Sequence, residues 1–498
     1  MAGQPNPSAS LRARMHVNRR RFLQAGAAGA AGAALLPATG CSMDETGSPG
    51  KLNVLLLIVD SLRPDHVGAY GSPQIKTPNV DAIAARGLRF NRAFPEAMVT
   101  IPARRSIFTT KRIFPFRDFV PNEELGQSPG WLPIDDTEHT FTSELRRQGY
   151  WVAQVSDNPH LAFTKAYEPF RKSFSHWKSV VGQSGFYKSP ETVPLDVVND
   201  WLPEPLRDER YIPGMRKYLA NSGGGVNEEE TCAARVYKTA ADTLDEARLR
   251  QPFCMVVDCF DPHEPWSPPP KYVDMYKDPS YTGPNIGVTK YGFARNFTPE
   301  QIRHLHAIYA AEVTMTDRWL GHFMDRFEEL GLDENTVVLL LSDHGYLLGE
   351  RGFTGKVPSQ LHPELAQVPF IVAHPDGRAA GDTSTYFAST HDVGPTLLSL
   401  VDIDPPRWME GTDLSPVLAG GQPPERRDFH YGGMYNRFFI RTDDWVLIGD
   451  NQGNERTLYN LPTDPHEFFD VVKRHPDVSD ELYRQVLDAA GGPLPYYE

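Results

Sequence analysis

The chain has 498 residues, 40% of them hydrophobic and 23% charged, which is ordinary for a globular protein and suits one large α/β domain with an appendage. Its formal net charge is −14, and the five arginines among residues 1–40 face no acid there, so the remainder is more acidic still. That balance argues against a nucleic-acid binder and leaves room for a small anionic substrate in a locally positive pocket.

The N-terminus reads as an address. Arg19-Arg20-Arg21-Phe22-Leu23-Gln24 fits a twin-arginine export signal. The apolar run Ala25 to Leu36 that follows is too short to span a bilayer, which takes about 20 residues. Ala38-Thr39-Gly40-Cys41 then resembles a lipoprotein cleavage site, with Cys41 as the lipid-bearing residue. Residues 1–41 are therefore expected to be a signal and residues 42–51 a linker. The protein is expected in the periplasm or cell envelope, with membrane attachment through Cys41. The remaining cysteines, Cys232, Cys254 and Cys259, are too few and too irregular for a disulfide framework or zinc set and read as buried thiols.

Structure is predicted from Leu52. Asn53 to Val59 is a continuous β-rich run, as expected of a strand buried on both faces. Further strands are predicted at Tyr150 to Val155, Phe253 to Phe260, Thr336 to Leu341 and Val368 to Ala373. Helical spacing marks Pro299 to Leu330 and Asp392 to Val401. The alternation implies a mixed, mostly parallel sheet with helices on both faces over residues 52–402. In residues 403–498 the short β-like pieces Phe438 to Arg441, Trp445 to Ile448 and Thr457 to Asn460 precede a helix near Ser479 to Ala489. They read as a small antiparallel sheet plus helix.

Four predicted strands run directly into polar residues: Asp60, the Ser156–His160 stretch, Asp261-Pro262-His263, and Ser342-Asp343-His344. Ligands of open α/β sheets bind beyond such carboxyl ends. Asp60, Asp343 and His344 suit a divalent cation such as Ca²⁺, Mg²⁺, Mn²⁺ or Zn²⁺. Thr100, before Pro102 and Arg104, fits a helix N-terminus, where the dipole favours an anion or alkoxide; an ordinary N-cap is the alternative reading.

Taken together, Asn53 to Gly71, Thr77 to Asp81, Thr100 to Arg104, Asp261 to Trp266, Ser342 to Lys356 and Leu458 to Pro465 resemble sulfatase-family motifs in the family's order. The resemblance spans residues 52–490 and implies the alkaline-phosphatase-like fold. It implies that Asp60, Asp343 and His344 bind one divalent metal, with Thr100 at the nucleophile position and on the metal. It further implies that Arg104 steadies the nucleophile, and that His263, Lys356 and His160 hold the substrate oxyanion or assist the leaving group. Ser61 stands where many members carry another aspartate, and Arg351 replaces a histidine often found in Gly-Glu-His-Gly.

Thr100 is the decisive departure. Sulfatases convert a Cys or Ser at this position to formylglycine, whose hydrate has two hydroxyls; threonine offers one, and no formylglycine is expected. A threonine alkoxide on a metal is a sound nucleophile for phosphorus. The expected activity is hydrolysis of a phosphate or phosphonate ester. The alternatives are a sulfuric ester hydrolase without formylglycine, a headgroup phosphotransferase, and an inactive lipid-anchored binding protein.

Overall fold

The computed structural model describes residues 50–120, 128–135, 137–185, 187–423 and 426–498. The twin-arginine segment, Cys41 and nearly all of the linker lie outside the described residues.

Eight strands form the central sheet: β1 (Asn53–Val59), β2 (Leu88–Ala93), β3 (Trp151–Ser156), β4 (His176–Ser179), β5 (Phe253–Cys259), β6 (Thr336–Leu341), β7 (Phe370–Ala373) and β8 (Thr383–Ala388). Their spatial order is β8-β2-β7-β6-β1-β5-β3-β4. β1 lies at the centre, parallel to β5 and β6, and β3 and β4 continue the parallel run. Only β7 is reversed within this sheet, pairing antiparallel with both β6 and β2, so the sheet is mixed but mostly parallel, as predicted.

The all-apolar sequence of β1 has a direct cause. Leu55, Leu57 and Val59 pack on one face, against helices α2 (Cys232–Ala247) and α3 (Pro299–Glu329). Val54, Leu56 and Ile58 pack on the other, with Phe108, Phe141 and Leu397. Burying both faces removes the alternation that a half-exposed strand needs. α3 starts where its sequence dictates. Thr298 and Gln301 form a reciprocal capping box, and Pro299 occupies the first turn, where no amide donor is needed.

The C-terminal sheet has two strands beyond the three expected. Its order is Thr457–Asn460, Trp445–Asp450, Arg437–Arg441, His430–Met434, then Ala97–Met98. The last piece comes from the N-terminal half and runs parallel to His430–Met434. It immediately precedes helix α1 (Thr100–Thr109). The helix at the end of the chain, Pro476–Ala489, lays Leu482 and Val486 on Phe438, Ile440 and Leu447. Cys232, Cys254 and Cys259 are free and buried, as expected. No helix among the described residues is long and apolar enough to cross a membrane.

Candidate active site

Parallel strands deliver the polar residues to one edge. β1 ends into Asp60 and Ser61, β6 into Ser342, Asp343 and His344, and α1 opens with Thr100 just after the short strand Ala97–Met98. Asp60, Asp343 and His344 are fully buried, and one ligand atom from each lies within 4.8 Å of the others. The backbone is shaped to hold them. Ser61 adopts a left-handed conformation (φ 59°), which costs a non-glycine residue about 1 kcal/mol. Its amide donates to Asp343 Oδ1 (3.0 Å), and its hydroxyl donates to Asp60 Oδ1 (2.7 Å). The Tyr309 hydroxyl, from α3, donates to the Ser61 carbonyl (2.6 Å).

Thr100 is the first residue of α1, and the N-cap position is Val99. The capping alternative for Thr100 is thus set aside: its Oγ1 lies 3.4 Å from His344 Nε2. The Gly345 carbonyl accepts from His344 Nδ1 (2.9 Å), so Nδ1 carries the proton and Nε2 presents its lone pair to Thr100. Burial lowers the pKa of His344 to about 4, which keeps it neutral.

Arg104 lies one helical turn beyond Thr100 and is 1% exposed. Its Nη1 donates to Asp343 Oδ2 (2.6 Å) and to the Thr100 carbonyl (3.2 Å). Nε and Nη2 clasp Asp258 at 3.0 and 2.7 Å, and Nη2 also lies 3.0 Å from Asp60 Oδ2. Four of the five donors of Arg104 are so engaged, and its place is among the carboxylates. The bond to the Thr100 carbonyl ties Arg104 to the first residue of α1. Asp258 escaped the sequence reading. The available signal was an acid inside an otherwise apolar strand, a residue that must find a cation once buried.

Three carboxylates, Asp60, Asp258 and Asp343, thus surround one guanidinium. Burial and the neighbouring Asp343 charge push the Asp60 pKa well above the carboxylate range. Burial also acts to raise Asp343, but the fields of His344 and Arg104 bring it below its ordinary value. Asp60 Oδ2, although near Arg104, accepts no well-aligned hydrogen bond. A buried excess of negative charge with an unsatisfied carboxylate oxygen and a free imidazole lone pair fits a divalent cation.

Beyond Thr100 opens a cavity of about 520 Å³ whose lining includes His160, His263, Glu264, Tyr291 and Lys356. His160 sits in the first turn of a short helix capped by Asn158, its ring edge-on to Trp131 at 5.0 Å. Burial, aided by Arg104 and Lys356, lowers its pKa to about 4. The His263 ring stacks on Phe260 at 4.1 Å. His263 Nδ1 donates to the Glu264 carbonyl (2.5 Å), so Nε2 accepts from Lys356 Nζ (2.7 Å). Burial and the Lys356 charge push His263 well below the usual imidazole range. Lys356 Nζ also meets both Glu264 oxygens (3.1 Å each) and the Tyr291 hydroxyl (3.1 Å). The predicted residues Thr100, His160, His263 and Lys356 therefore share one cavity, while Asp60, Asp343 and His344 are fully buried, His344 beside Thr100. A larger surface groove, about 960 Å³ and walled by Glu138, His139 and Phe170, holds none of them.

Arg351 stands apart from this cavity. It donates to the His466 and Glu467 carbonyls and pairs with Glu364, tying its loop to the C-terminal sheet region.

Residues 52–403 match the sulfatase family model, and residues 349–490 match the C-terminal model of N-sulphoglucosamine sulphohydrolase. The chain belongs to the sulfatase family, within the alkaline phosphatase superfamily, and is a sulfuric or phosphoric ester hydrolase. It is 28% identical over 445 residues to an ulvan-active sulfatase of Formosa agariphila, covering 86% of this chain and 78% of that protein. It is 24% identical to a multifunctional alkaline phosphatase superfamily protein of Trinickia caryophylli, covering 84% and 91%. Its fold matches that of phosphonate monoester hydrolase of Agrobacterium radiobacter with a TM-score of 0.69 at 21% identity, over 89% and 96% of the two chains.

Proposed function

We propose that the protein hydrolyses a phosphate or phosphonate ester with Thr100 as nucleophile. The observation that carries this reading is a single hydroxyl, Thr100 Oγ1, at the N-terminus of α1 beside Asp60, Asp343 and His344. A formylglycine hydrate keeps a second hydroxyl to expel sulfate from a sulfo-enzyme; Thr100 has none. Water can instead attack phosphorus in a phospho-threonine.

Asp60, Asp343 and His344, with Thr100 Oγ1, would hold the one divalent cation, which supplies positive charge beside the nucleophile. Thr100 loses its proton to solvent and its oxygen bonds to phosphorus. The bond from phosphorus to the leaving oxygen breaks, and a proton passes to that oxygen. The Lys356–His263 pair is the source: His263 is neutral with Nε2 accepting, so the transferable proton resides on Lys356. Lys356 and the N-terminus of α1 also draw in the anionic headgroup. His160, neutral and edge-on to Trp131, takes a positioning role at the cavity wall. Water then cleaves the phospho-threonine and restores Thr100.

A relative described as a multifunctional alkaline phosphatase superfamily protein supports a reading that is not confined to sulfate esters. The alternative, sulfuric ester hydrolysis without formylglycine, draws on the sulfatase relatives. The test is turnover of aryl sulfate, phosphate monoester, phosphate diester and phosphonate ester by protein beginning at Ser42, with Asp343→Asn as blank. A phosphorylated Thr100 peptide trapped at low pH supports the proposal; sulfate as the dominant substrate refutes it. We also infer export by the twin-arginine route with lipid on Cys41; absence of radiolabelled fatty acid on the full-length chain, and its presence nowhere but the cytoplasm, overturns that reading.

A further inference from the structure

Lys356 is held from two sides by residues with no assigned part in the reaction. Glu264 is 6% exposed, and both its oxygens lie 3.1 Å from Lys356 Nζ. Tyr291 donates its hydroxyl proton to Glu264 Oε1, which leaves the phenol oxygen to accept from Lys356 Nζ at 3.1 Å. Burial and the Glu264 charge hold that phenol well above its ordinary range, so it stays protonated.

A small three-stranded sheet brings Tyr291 there. Gly292–Phe293 pairs antiparallel with Phe353–Gly355, which pairs in turn with Leu347–Leu348. Tyr291 precedes the first strand and Lys356 follows the second. The Tyr291 ring crosses over Gly355, where a Cβ would lie 2.3 Å from Tyr291 Cδ1, and Gly355 has φ +88°. A side chain there would strike the ring. The Thr354 hydroxyl fastens the turn to the Lys290 carbonyl (2.7 Å). The groups facing the ammonium are thus His263, Glu264 and Tyr291 by hydrogen bond and the Tyr346 ring at 5.5 Å.

We propose that Glu264 and Tyr291 are positioning residues for leaving-group protonation, fixing Lys356 so that the N–H it gives to His263 Nε2 is the proton delivered to the departing oxygen. Two of the three ammonium protons are committed to Glu264 and Tyr291, and the third lies on the hydrogen bond facing the cavity. When the ester bond breaks, its electron pair stays with the leaving oxygen, which takes that proton. Lys356, left neutral, regains one from the water that cleaves the enzyme intermediate. The inference rests on the reading that Lys356 and His263 face the leaving group, but not on the identity of the nucleophile.

The test compares Tyr291→Phe and Glu264→Gln with wild type on paired 4-nitrophenyl and phenyl esters of whichever acid wild type turns over best. The phenyl ester needs an acid; the nitrophenyl ester hardly does. Each variant is expected to lose about tenfold or more in kcat on the phenyl ester and under about threefold on the nitrophenyl ester, a fraction of the ~10²–10⁴ a general acid contributes. Glu264→Asp should restore part of the loss, and the Kd of Tyr291→Phe for inorganic phosphate should stay within about twofold of wild type, since the ammonium itself remains. Equal losses on both esters, or tenfold weaker phosphate binding by Tyr291→Phe, would overturn the assignment. A fully active Thr100→Ala enzyme would instead sink the nucleophile while leaving this comparison standing.

Discussion

Replacing Arg104 with methionine removes the guanidinium that faces Asp60, Asp258 and Asp343 while keeping most of its volume. In the wild type the group holds Asp258 by two bonds of 3.0 and 2.7 Å and Asp343 by one of 2.6 Å, all out of water. Breaking a buried pair by deleting one partner costs about 3–5 kcal/mol, because an unpaired charge stays behind. With an unfolding entropy of roughly 2.1 cal/mol/K per residue, a chain of this length should lose about 3–5 °C in Tm. The loss carries a pH signature. Without Arg104, Asp60 and Asp343 lose the charge that lowers their pKa values and become harder to ionise in the folded state. Their folded pKa values rise, so the destabilisation is greatest above those values and shrinks as the pH falls and they protonate. The measurement is Tm in EDTA at pH 5 and pH 8 for wild type, Arg104→Met, Asp258→Asn and the double variant. The double variant should recover part of the loss, since the neutral amide no longer needs a cation. A change below about 1 °C, equal at both pH values, would refute the view that Arg104 is the counterion of this cluster.

Other expectations follow from the same geometry. Thr100→Ala should abolish turnover with Tm nearly unchanged, because the side chain caps nothing; kcat and a melt in one preparation decide it. Asp343→Asn and His344→Ala should each lower the bound divalent metal measured by elemental analysis, whereas Lys356→Ala should leave it in place. His160 and His304 are both held at about 4 by burial, so the folded chain binds fewer protons than the unfolded chain below pH 6.5. Their stabilising contribution is complete above that pH and is lost as the pH falls towards 4; His304→Gln should flatten the acid side of the Tm profile. A thiol reagent should find none of Cys232, Cys254 and Cys259 in the folded protein starting at Ser42 and all three after denaturation, since burial also pushes these thiols up.

How far the sequence leads depends on what each residue has to satisfy. β1 was legible because a strand buried on both faces leaves an unbroken apolar run. Asp60, Asp343 and His344 were legible because strand ends in a parallel sheet collect on one edge, and two strand–loop junctions suffice to pair them. The two strands at one side of the sheet were not. Leu88–Ala93 carries Arg89, Asn91 and Arg92 among its apolar positions, and Thr383–Ala388 has exposed threonines, so neither shows a clean period. Asp258, Glu264 and Tyr291 were missed for a shared reason. Each acts through a partner distant in sequence, and pairings such as Arg104 with Asp258, 154 residues apart, arise only when the sheet closes. Arg351 shows the converse: its place in a recognised motif pointed towards the site, while its neighbours tie it to the loop around Glu467.

The two residues Ala97–Met98 give this enzyme a schedule. They are the edge strand of a sheet whose other members lie beyond residue 430, yet they lead straight into Thr100. A nascent chain that has emerged only as far as His344 already owns every expected metal ligand and the proposed nucleophile, but not the strand His430–Met434 that pairs with Ala97–Met98. The strand that flanks the approach to Thr100 is therefore completed only by about the last seventh of the polypeptide, and a chain that ends before His430 is expected to leave Ala97–Met98 without its partner strand.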